Sequence, residues 1–314
     1  MIINNKIFIP FLLLSFLCIS CQNPDSKIDE TIENSSEMSL DESETRELNQ
    51  EFKAYWFDGT AEITSYQLSQ ERYGEIREGS AVTIFVTEDF LPEVQVKANE
   101  FSEDNTTVLK LNLVKKFNTG IYPYSIMTSV FNPIYKKSHA LKISNSVQEW
   151  CGQVYMQLNN RKEFEFISHS YFQGEADESK TLEKNWLEDE LWNLLRINPA
   201  ELPTGDINII PSFEYLRLRH KPTTAYEASV SLKQGDSISI YTINYPVLER
   251  ELTLYFKSKF PFDIEKWEET NGSTNTSDTL RLKTTAIKIK TLKTAYWQQN
   301  SEKFAYLRDS LKIK

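Results

Sequence analysis

The sequence predicts a mainly β protein, an antiparallel meander that forms a curled sheet, an open barrel or a sandwich, with a few short helices. Eighteen Phe, 15 Tyr and 6 Trp residues accompany only 9 Gly residues, and aromatic side chains suit the pleated surface of a sheet. Apolar and polar residues alternate in many short segments, most regularly at Leu252, Leu254 and Phe256, as in half-buried strands. Most connections between these segments are short, which favours antiparallel neighbours over βαβ units.

Three helices are predicted among the strands. The first begins near Asp41 and ends at Gly59, because residues 48–56 carry an apolar stripe at helical spacing. The second covers residues 183–196, where leucines recur at helical spacing until Pro199 stops the helix. Ser301 begins a short C-terminal helix. The predicted strands cover residues 62–68, 81–87, 94–96, 109–113, 121–131, 139–143, 206–210, 213–218, 225–232, 237–245, 249–256 and 280–290.

A hairpin is predicted in the middle of the chain, with arms over residues 150–158 and 164–172. Apolar residues alternate on both arms, so the two apolar faces coincide only if the loop has an odd number of residues. A three-residue turn over 159–161 meets this condition, and its asparagines tolerate the left-handed conformation. The residues expected to face inward are Trp150, Val154, Met156, Phe164 and Phe166. The residues expected to face the other way are Cys151, Gln153 and His169.

Cys151 and His169 are the candidate catalytic residues, because the predicted register places them directly opposite each other. Facing residues on adjacent strands have Cβ atoms about 4.5–5.5 Å apart, which allows a thiol–imidazole contact. Glu149, Glu175 or Asp177 could orient the histidine. The alternative is that Cys151 is a small apolar residue without a reactive role. Since no glycine-rich oxyanion loop adjoins Cys151, the second interpretation is favoured.

Composition and motifs exclude several classes of function. The formal net charge is −10, whereas a protein that binds nucleic acid through phosphates needs a basic surface. The three histidines, at positions 139, 169 and 220, are widely separated and lack the spacing of a metal site. No nucleotide-binding glycine motif or nucleophile-elbow motif occurs. We therefore expect no cofactor, no metal and no nucleic-acid partner, and a binding or support role rather than catalysis.

The N-terminal region predicts a lipoprotein signal peptide over residues 1–20. Lys6 precedes an apolar run over residues 7–19, which is too short to span a bilayer comfortably. The run ends in Leu-Cys-Ile-Ser-Cys, a pattern that resembles the lipobox of bacterial lipoproteins. The resemblance implies cleavage before Cys21 and acylation of Cys21, including a palmitate-type chain, which would anchor the protein to a membrane. An ordinary cleaved signal peptide is the alternative.

Two further segments follow Cys21 in the predicted domain organisation. Residues 21–45 are rich in Ser, Glu and Asp and hold almost no large apolar residues, as expected for a disordered acidic tether. Residues 46–314 form the β-rich part, either as one domain or as two halves that meet near residues 175–205. We expect this part to lie in the cell envelope, on an outer membrane, facing the periplasm or the surface, where it meets an envelope ligand or protein.

The last predicted strand is basic within an acidic chain. Its cations are Arg281, Lys283, Lys288, Lys290 and Lys293. One interpretation is a surface for the phosphates of lipid headgroups. The favoured interpretation is an edge strand that its lysines protect from aggregation.

Several segments of the chain resemble segments that occur together in a known group of proteins. They cover residues 55–56, 61–66, 72–75, 84–92, 118–123, 149–159 and 202–206. The chain resembles a family of uncharacterised lipoproteins of marine and soil Bacteroidota, over nearly all of its mature part. Members of this family often carry the label "septum formation inhibitor Maf", which gives a further alternative by name only. Maf proteins are cytoplasmic α/β nucleotide pyrophosphatases with an N-terminal Ser-x-Ser-x-Arg-Arg loop, and no segment here matches that loop. The resemblance transfers no catalytic or binding residue.

Overall fold

The structure, a computed structural model, describes residues 44–272 and 281–313. All of these residues belong to one compact unit. The predicted signal peptide, Cys21 and all but the last two residues of the predicted tether lie outside the described residues. No helix within the described ranges has the length and apolar character needed to cross a bilayer.

Sixteen strands and four α-helices make up the described residues. The strands are β1 (Ala61–Arg72), β2 (Glu75–Leu91), β3 (Val96–Lys97), β4 (Thr106–Thr119), β5 (Tyr122–Pro133), β6 (Lys142–Glu149), β7 (Gly152–Asn160), β8 (Phe164–Ser170), β9 (Glu178–Leu182), β10 (Trp186–Leu187), β11 (Gly205–Ile210), β12 (Tyr226–Lys233), β13 (Ile238–Tyr245), β14 (Arg250–Lys257), β15 (Ile264–Thr270) and β16 (Lys283–Thr294). The α-helices are α1 (Gln50–Trp56), α2 (Glu188–Ile197), α3 (Phe213–Leu218) and α4 (Tyr306–Ser310), and short 3-10 helices cover Pro199–Glu201, Pro246–Leu248, Tyr296–Gln298 and Glu302–Phe304.

All the strands belong to one sheet. Their order is β10-β11-β12-β13-β14-β15-β16-β1-β2-β4-β5-β6-β7-β8-β9, and β3 pairs with β2 outside this path. Only β10 and β11 are parallel, and the other neighbours are antiparallel. The prediction of a mainly β, antiparallel meander is confirmed, and the sheet is not closed into a barrel.

Helix α2 is buried along its whole length and packs against β4 and β5. Its first turn is fixed by Glu190, whose carboxylate accepts a hydrogen bond from the Leu187 backbone N–H at 3.0 Å, the N-terminal half of a capping box. The helix ends at Asn198 and Pro199, as predicted. It starts five residues later than predicted, because Trp186 and Leu187 pair with β11 instead.

The predicted strand over residues 213–218 is wrong, since this segment is helix α3. Phe213 and Tyr215 alternate as in a strand, but Phe213 and Leu216 are also spaced as on one face of a helix. The side chain of Ser212 caps the helix by accepting a hydrogen bond from the Tyr215 N–H at 3.2 Å. All six residues of α3 are buried.

The last strand, β16, is not an edge strand, because it pairs with β15 on one side and β1 on the other. The prediction of a lysine-protected edge is therefore wrong. Several of its lysines pair with carboxylates instead: the Lys288 Nζ atom lies 3.1 Å from Asp263 Oδ2 and 3.1 Å from Glu265 Oε1. Lys283 pairs in the same way with Glu268 at 2.9 Å.

The central hairpin has the predicted parity but not the predicted register. Its turn covers residues 161–163, and Asn160 pairs with Phe164. The strand runs past the predicted turn because the Asn160 N–H donates to the Leu141 carbonyl at 2.8 Å. Since both turns contain three residues, the inward set is still buried, including Met156. Trp150 is the exception, because it lies in a two-residue turn between β6 and β7 and is 68% exposed.

Candidate binding cleft

The structure does not bring the predicted catalytic residues together. Tyr155, rather than Cys151, lies opposite His169 in the hairpin ladder. Cys151 lies four residues earlier in the turn before β7, which separates it from the level of His169 by roughly 13 Å along the strand. The predicted register of Cys151 and His169 is therefore wrong, and the reason is the two-residue shift of the hairpin turn.

Each of the two side chains has a different environment from the one predicted. Glu149 accepts a hydrogen bond from the Cys151 backbone N–H at 2.6 Å. Hydrogen bonding of the thiol itself to the Glu149 carboxylate, together with the negative charge of that carboxylate, raises the pKa of the Cys151 thiol. A raised pKa disfavours the thiolate that a nucleophile needs. The His169 Nδ1 atom lies 3.3 Å from Asp177 Oδ1, and both side chains are exposed.

Buried ion pairs surround α2 and hold it inside the sheet. Arg196 donates two hydrogen bonds to the carboxylate of Glu62, at 2.6 and 2.7 Å, and a third to the Pro261 carbonyl at 2.9 Å. Burial alone would raise the pKa of Glu62, but the Arg196 guanidinium outweighs burial and holds that pKa below its ordinary value. Arg250 is held in the same way by both carboxylate oxygens of Glu188.

A cavity beside this network is too small to hold a ligand. Its volume is about 30 Å³, which suits a water molecule rather than an organic compound. Arg72, Lys115 and Arg250 line it together with Asp189 and Glu214. Burial and the neighbouring Glu188 carboxylate raise the pKa of Asp189 to about 7. Lys115 pairs with Glu214 at 2.9 Å and Arg250 pairs with Glu188, so we interpret the network as structural.

A much larger opening, which we call the inner cleft, lies between the β7–β8 hairpin and the end of α3. Its volume is about 510 Å³, within the usual range for small-molecule sites. The apolar part of its wall comes from Val154, Met156, Phe172 and Leu216. The charged part of its wall comes from Glu175, Glu178, Lys180, Arg217, His220 and Lys221.

His220 reaches the inner cleft because of the way α3 ends. The Lys221 N–H donates to the Leu216 carbonyl at 2.9 Å, and the His220 N–H donates to the Arg217 carbonyl at 3.4 Å. This is the Schellman pattern, in which the residue after the C-cap is left-handed and usually glycine. Here that residue is His220, with φ of 51°. A left-handed histidine costs free energy, and such strain is often found at functional sites.

Glu175 joins the charged side chains of the cleft into one group. Its Oε1 atom lies 2.6 Å from His220 Nδ1 and 3.1 Å from Arg217 Nη1. Its Oε2 atom accepts a hydrogen bond from the Ser170 hydroxyl at 2.6 Å. With the imidazole proton on Nδ1, where it faces Glu175, the Nε2 atom of a neutral His220 is a hydrogen-bond acceptor.

Arg217 is buried but leaves one edge of its guanidinium unpaired. Its side chain is 6% exposed, and its flat face lies 4.4 Å from the ring centre of Phe172. Nη1 bonds to Glu175 and faces His220, whereas Nε is buried without a hydrogen-bond partner among the described residues. Nη2 likewise makes no hydrogen bond with the described part of the chain. The Nε–Nη2 edge is one that a carboxylate binds with two parallel hydrogen bonds.

Sequence reasoning missed this group for two reasons. Glu175 was identified as a residue that could orient a histidine, but the histidine it contacts is His220, 45 positions away. Arg217 was assigned to a strand, which hid its relation to His220 three residues later. A usable signal was Pro222, because proline often follows the C-terminal cap of a helix.

No group of three or more His, Cys, Asp or Glu residues suited to a metal ion occurs within residues 44–272 and 281–313. Comparison of the chain with protein-family models, with curated proteins and with solved structures found no match.

Proposed function

We propose that the protein is a cell-envelope lipoprotein whose β-rich domain binds a small organic carboxylate with an apolar body in the inner cleft. The observation that carries the proposal is the buried Arg217 guanidinium in the wall of the cleft, whose Nε has no hydrogen-bond partner among the described residues, beside an apolar wall. A buried N–H without a partner costs about 1–3 kcal/mol. A carboxylate across the Nε–Nη2 edge would satisfy both nitrogens and would place its apolar body against Met156 and Phe172.

Charge in the inner cleft supports an anionic ligand. Lys180, Arg217 and Lys221 are cations, whereas Glu175 and Glu178 are the carboxylates of the wall. Glu178 already pairs with Lys180 at 2.8 Å, and Glu175 is shared by Arg217 and His220. The excess of positive charge is local, because the whole chain carries a formal charge of −10.

The membrane anchor in this proposal rests on the sequence alone. The apolar run over residues 7–19, followed by serine and Cys21, has the order of a lipoprotein signal. We expect that metabolic labelling with an alkyne fatty acid marks the wild-type protein and not the Cys21→Ala variant. Equal labelling of the two proteins would contradict acylation at Cys21. Protease treatment of intact cells would then show which side of the membrane the domain faces.

Ligand binding is tested with 3-phenylpropionate, which joins a carboxylate to an apolar ring. We expect calorimetry to show saturable binding to the wild-type protein and no binding of 3-phenylpropionamide, which lacks the charge. Arg217→Gln should weaken binding by about tenfold or more, the loss of a charge-assisted hydrogen bond. The matched control is Arg161→Gln, an exposed arginine that pairs with Glu165 away from the cleft, and it should bind normally. Equal binding by the wild type and Arg217→Gln would contradict the proposal.

An enzymatic alternative has one observation in its favour, the 2.6 Å contact between Glu175 and His220. A carboxylate that fixes the tautomer of a histidine is typical of a general base. The methyl ester of 3-phenylpropionic acid separates the two functions. Under the binding proposal the ester remains intact in the presence of the protein. Ester hydrolysis that is lost in His220→Asn would favour a hydrolase over a binding domain.

A further inference from the structure

A second large opening lies on the opposite face of the sheet, beneath the C-terminal segment. This segment includes two 3-10 helices and α4, and Leu311 is its most deeply buried residue, at 5% exposure. The space enclosed between the segment and strands β1, β2, β4 and β16 is about 510 Å³. We call this space the outer groove.

The floor of the outer groove is a continuous aliphatic track across four neighbouring strands. Leu292 on β16 lies opposite Ile63 on β1, and Ile63 lies opposite Ile84 on β2. Val82, two residues before Ile84, lies opposite Val114 on β4. Since neighbouring strands are about 4.8 Å apart, the track is roughly 14 Å long.

The roof of the outer groove is also apolar. Phe304, Leu307, Leu311 and Ile313 of the C-terminal segment line it from above. The segment is fixed at its start by the Gln299 side chain, whose Nε2 atom donates to the Thr294 hydroxyl at 2.6 Å. The apolar residues on both sides favour a ligand with an apolar body, because burying an unpaired polar group against them costs several kcal/mol.

One end of the track carries positive charge. Lys116 follows Val114 by two residues on the same face of β4 and lines the groove. Arg308 of the roof lines it as well, and Glu302 is the one acidic residue among the lining residues. A long apolar channel with Lys116 at one end matches a chain-like amphiphile with an anionic head.

We propose that the outer groove binds a long-chain fatty acid supplied from outside the protein, with the acyl chain along the aliphatic track and the carboxylate near Lys116. The site is distinct from the inner cleft, which lies on the other face of the sheet and suits a compact ligand. The proposal is independent of the function assigned to the inner cleft.

The test uses the full-length protein in isolated membranes and a palmitic acid that carries a photo-activatable diazirine and an alkyne. After irradiation, the labelled peptides are identified by mass spectrometry. We expect labelling within the roof residues 296–313 or the floor residues 80–84 and 114–116, and we expect excess unlabelled palmitic acid to suppress it. In isolated membranes the added fatty acid is not activated for transfer to protein, so labelling reports binding rather than acylation.

Two variants fill the groove from opposite walls. Ser80→Trp fills it from the floor and Ala305→Trp from the roof, and each should reduce labelling by about tenfold or more. Ser146→Trp is the matched control, because Ser146 is half-buried on β6 and does not line the groove. Using two filling variants keeps the test informative if one of them folds poorly, which circular dichroism would reveal. Lys116→Gln should reduce labelling by the acid but not by its methyl ester.

Three outcomes would overturn the proposal. The first is the absence of competed labelling in the groove peptides of the wild-type protein. The second is unchanged labelling in both folded filling variants. The third is labelling that appears only in Cys21→Ala, which would mean that the groove holds the protein's own acyl chain.

Discussion

Arg196 and Arg217 are both buried arginines paired with glutamate, yet their surroundings differ. Arg196 is 1% exposed and bonds to Glu62 through two nitrogens and to the Pro261 carbonyl through the third. Arg217 is 6% exposed and bonds to Glu175 through Nη1, which leaves Nε buried without a partner among the described residues. Arg196 faces a packed interior, whereas Arg217 lines an opening of about 510 Å³.

The difference separates a structural ion pair from a binding group. A buried charge is tolerated when every hydrogen-bonding position is filled, because pairing offsets the loss of hydration. When one edge is left unfilled next to an opening, the missing partner can come from a ligand. Arg72 meets only the first of these conditions, since its Nε also lacks a partner but it lines a cavity of only about 30 Å³.

The largest expected effect comes from breaking the saturated pair. Arg196→Met leaves the Glu62 carboxylate buried without its partner, and we expect the free energy of unfolding to fall by about 3–5 kcal/mol. Chemical denaturation measures this change. Adding Glu62→Gln removes the orphaned charge and should restore more than half of the loss. A double variant as unstable as Arg196→Met would contradict the account of this pair.

Asp189 provides a pH test of the same interior. Its pKa in the folded protein, raised to about 7 by burial and Glu188, exceeds the ordinary value of 3.8, so the folded state binds more protons between these two pH values. The Asp189 contribution to stability is therefore complete below about pH 4 and is lost as the pH rises toward 7, by on the order of 4 kcal/mol.

Asp189→Asn removes this dependence, and its amide oxygen can still accept the hydrogen bond that the Phe213 N–H donates at 3.2 Å. We expect the variant and the wild type to have similar unfolding free energies at pH 4. At pH 8 the variant should be more stable by on the order of 4 kcal/mol. Denaturation curves at both pH values check this, and a difference that is the same at pH 4 and pH 8 would contradict a raised pKa.

The hairpin gives a test of the wall of the inner cleft. Met156 is 5% exposed, and Met156→Ala should lower the free energy of unfolding by about 2–5 kcal/mol through lost burial and a residual cavity. Trp150→Ala is the control, because Trp150 is 68% exposed in a turn, and surface changes usually shift stability by less than about 0.5 kcal/mol. A larger loss for Trp150→Ala than for Met156→Ala would show that Trp150 faces inward, as the sequence predicts.

The smallest effect on stability is expected at His220. His220→Gly removes a left-handed side chain, which relieves about 1–2 kcal/mol of backbone cost, and it also removes an exposed contact with Glu175. We expect the thermal midpoint to stay the same or rise. Binding of 3-phenylpropionate should weaken in the same protein. Without the His220 imidazole, the Glu175 carboxylate is no longer shared and pairs with Arg217 alone. A variant that loses stability would show that His220 has a structural role.

The sequence predicts most strands because their inner faces alternate regularly, as at Leu252, Leu254 and Phe256, all of which are buried. Strand β16 was predicted as an edge because its charges are visible in the sequence and their carboxylate partners are not. Helix α3 was not predicted because its six residues, with alternating aromatics, fit both the period of a strand and the period of a helix. Its environment, buried against β5 and β6, decides in favour of the helix.

The inner cleft could not be predicted because its charged residues are far apart in sequence. Glu175 follows the hairpin, and His220 follows α3, so only the three-dimensional fold brings them to 2.6 Å. The hairpin was the right place to search, since Val154 and Met156 line the cleft. The hairpin contributes its buried inner face to the cleft. The sequence pattern instead indicated Cys151 and His169, which were expected on the outer face.

The central claim is that Arg217 binds a carboxylate through an edge that Arg196 and Arg250 have already filled. The direct measurement is a ¹H–¹⁵N spectrum of the arginine Nε–H groups during titration with 3-phenylpropionate, with the Arg217 signal identified by its absence in Arg217→Lys. We expect the Arg217 signal to shift progressively and saturate, while those of Arg196 and Arg250 stay fixed and 3-phenylpropionamide has no effect. An Arg217 signal that does not move, or one that moves together with that of Arg196, would contradict the claim.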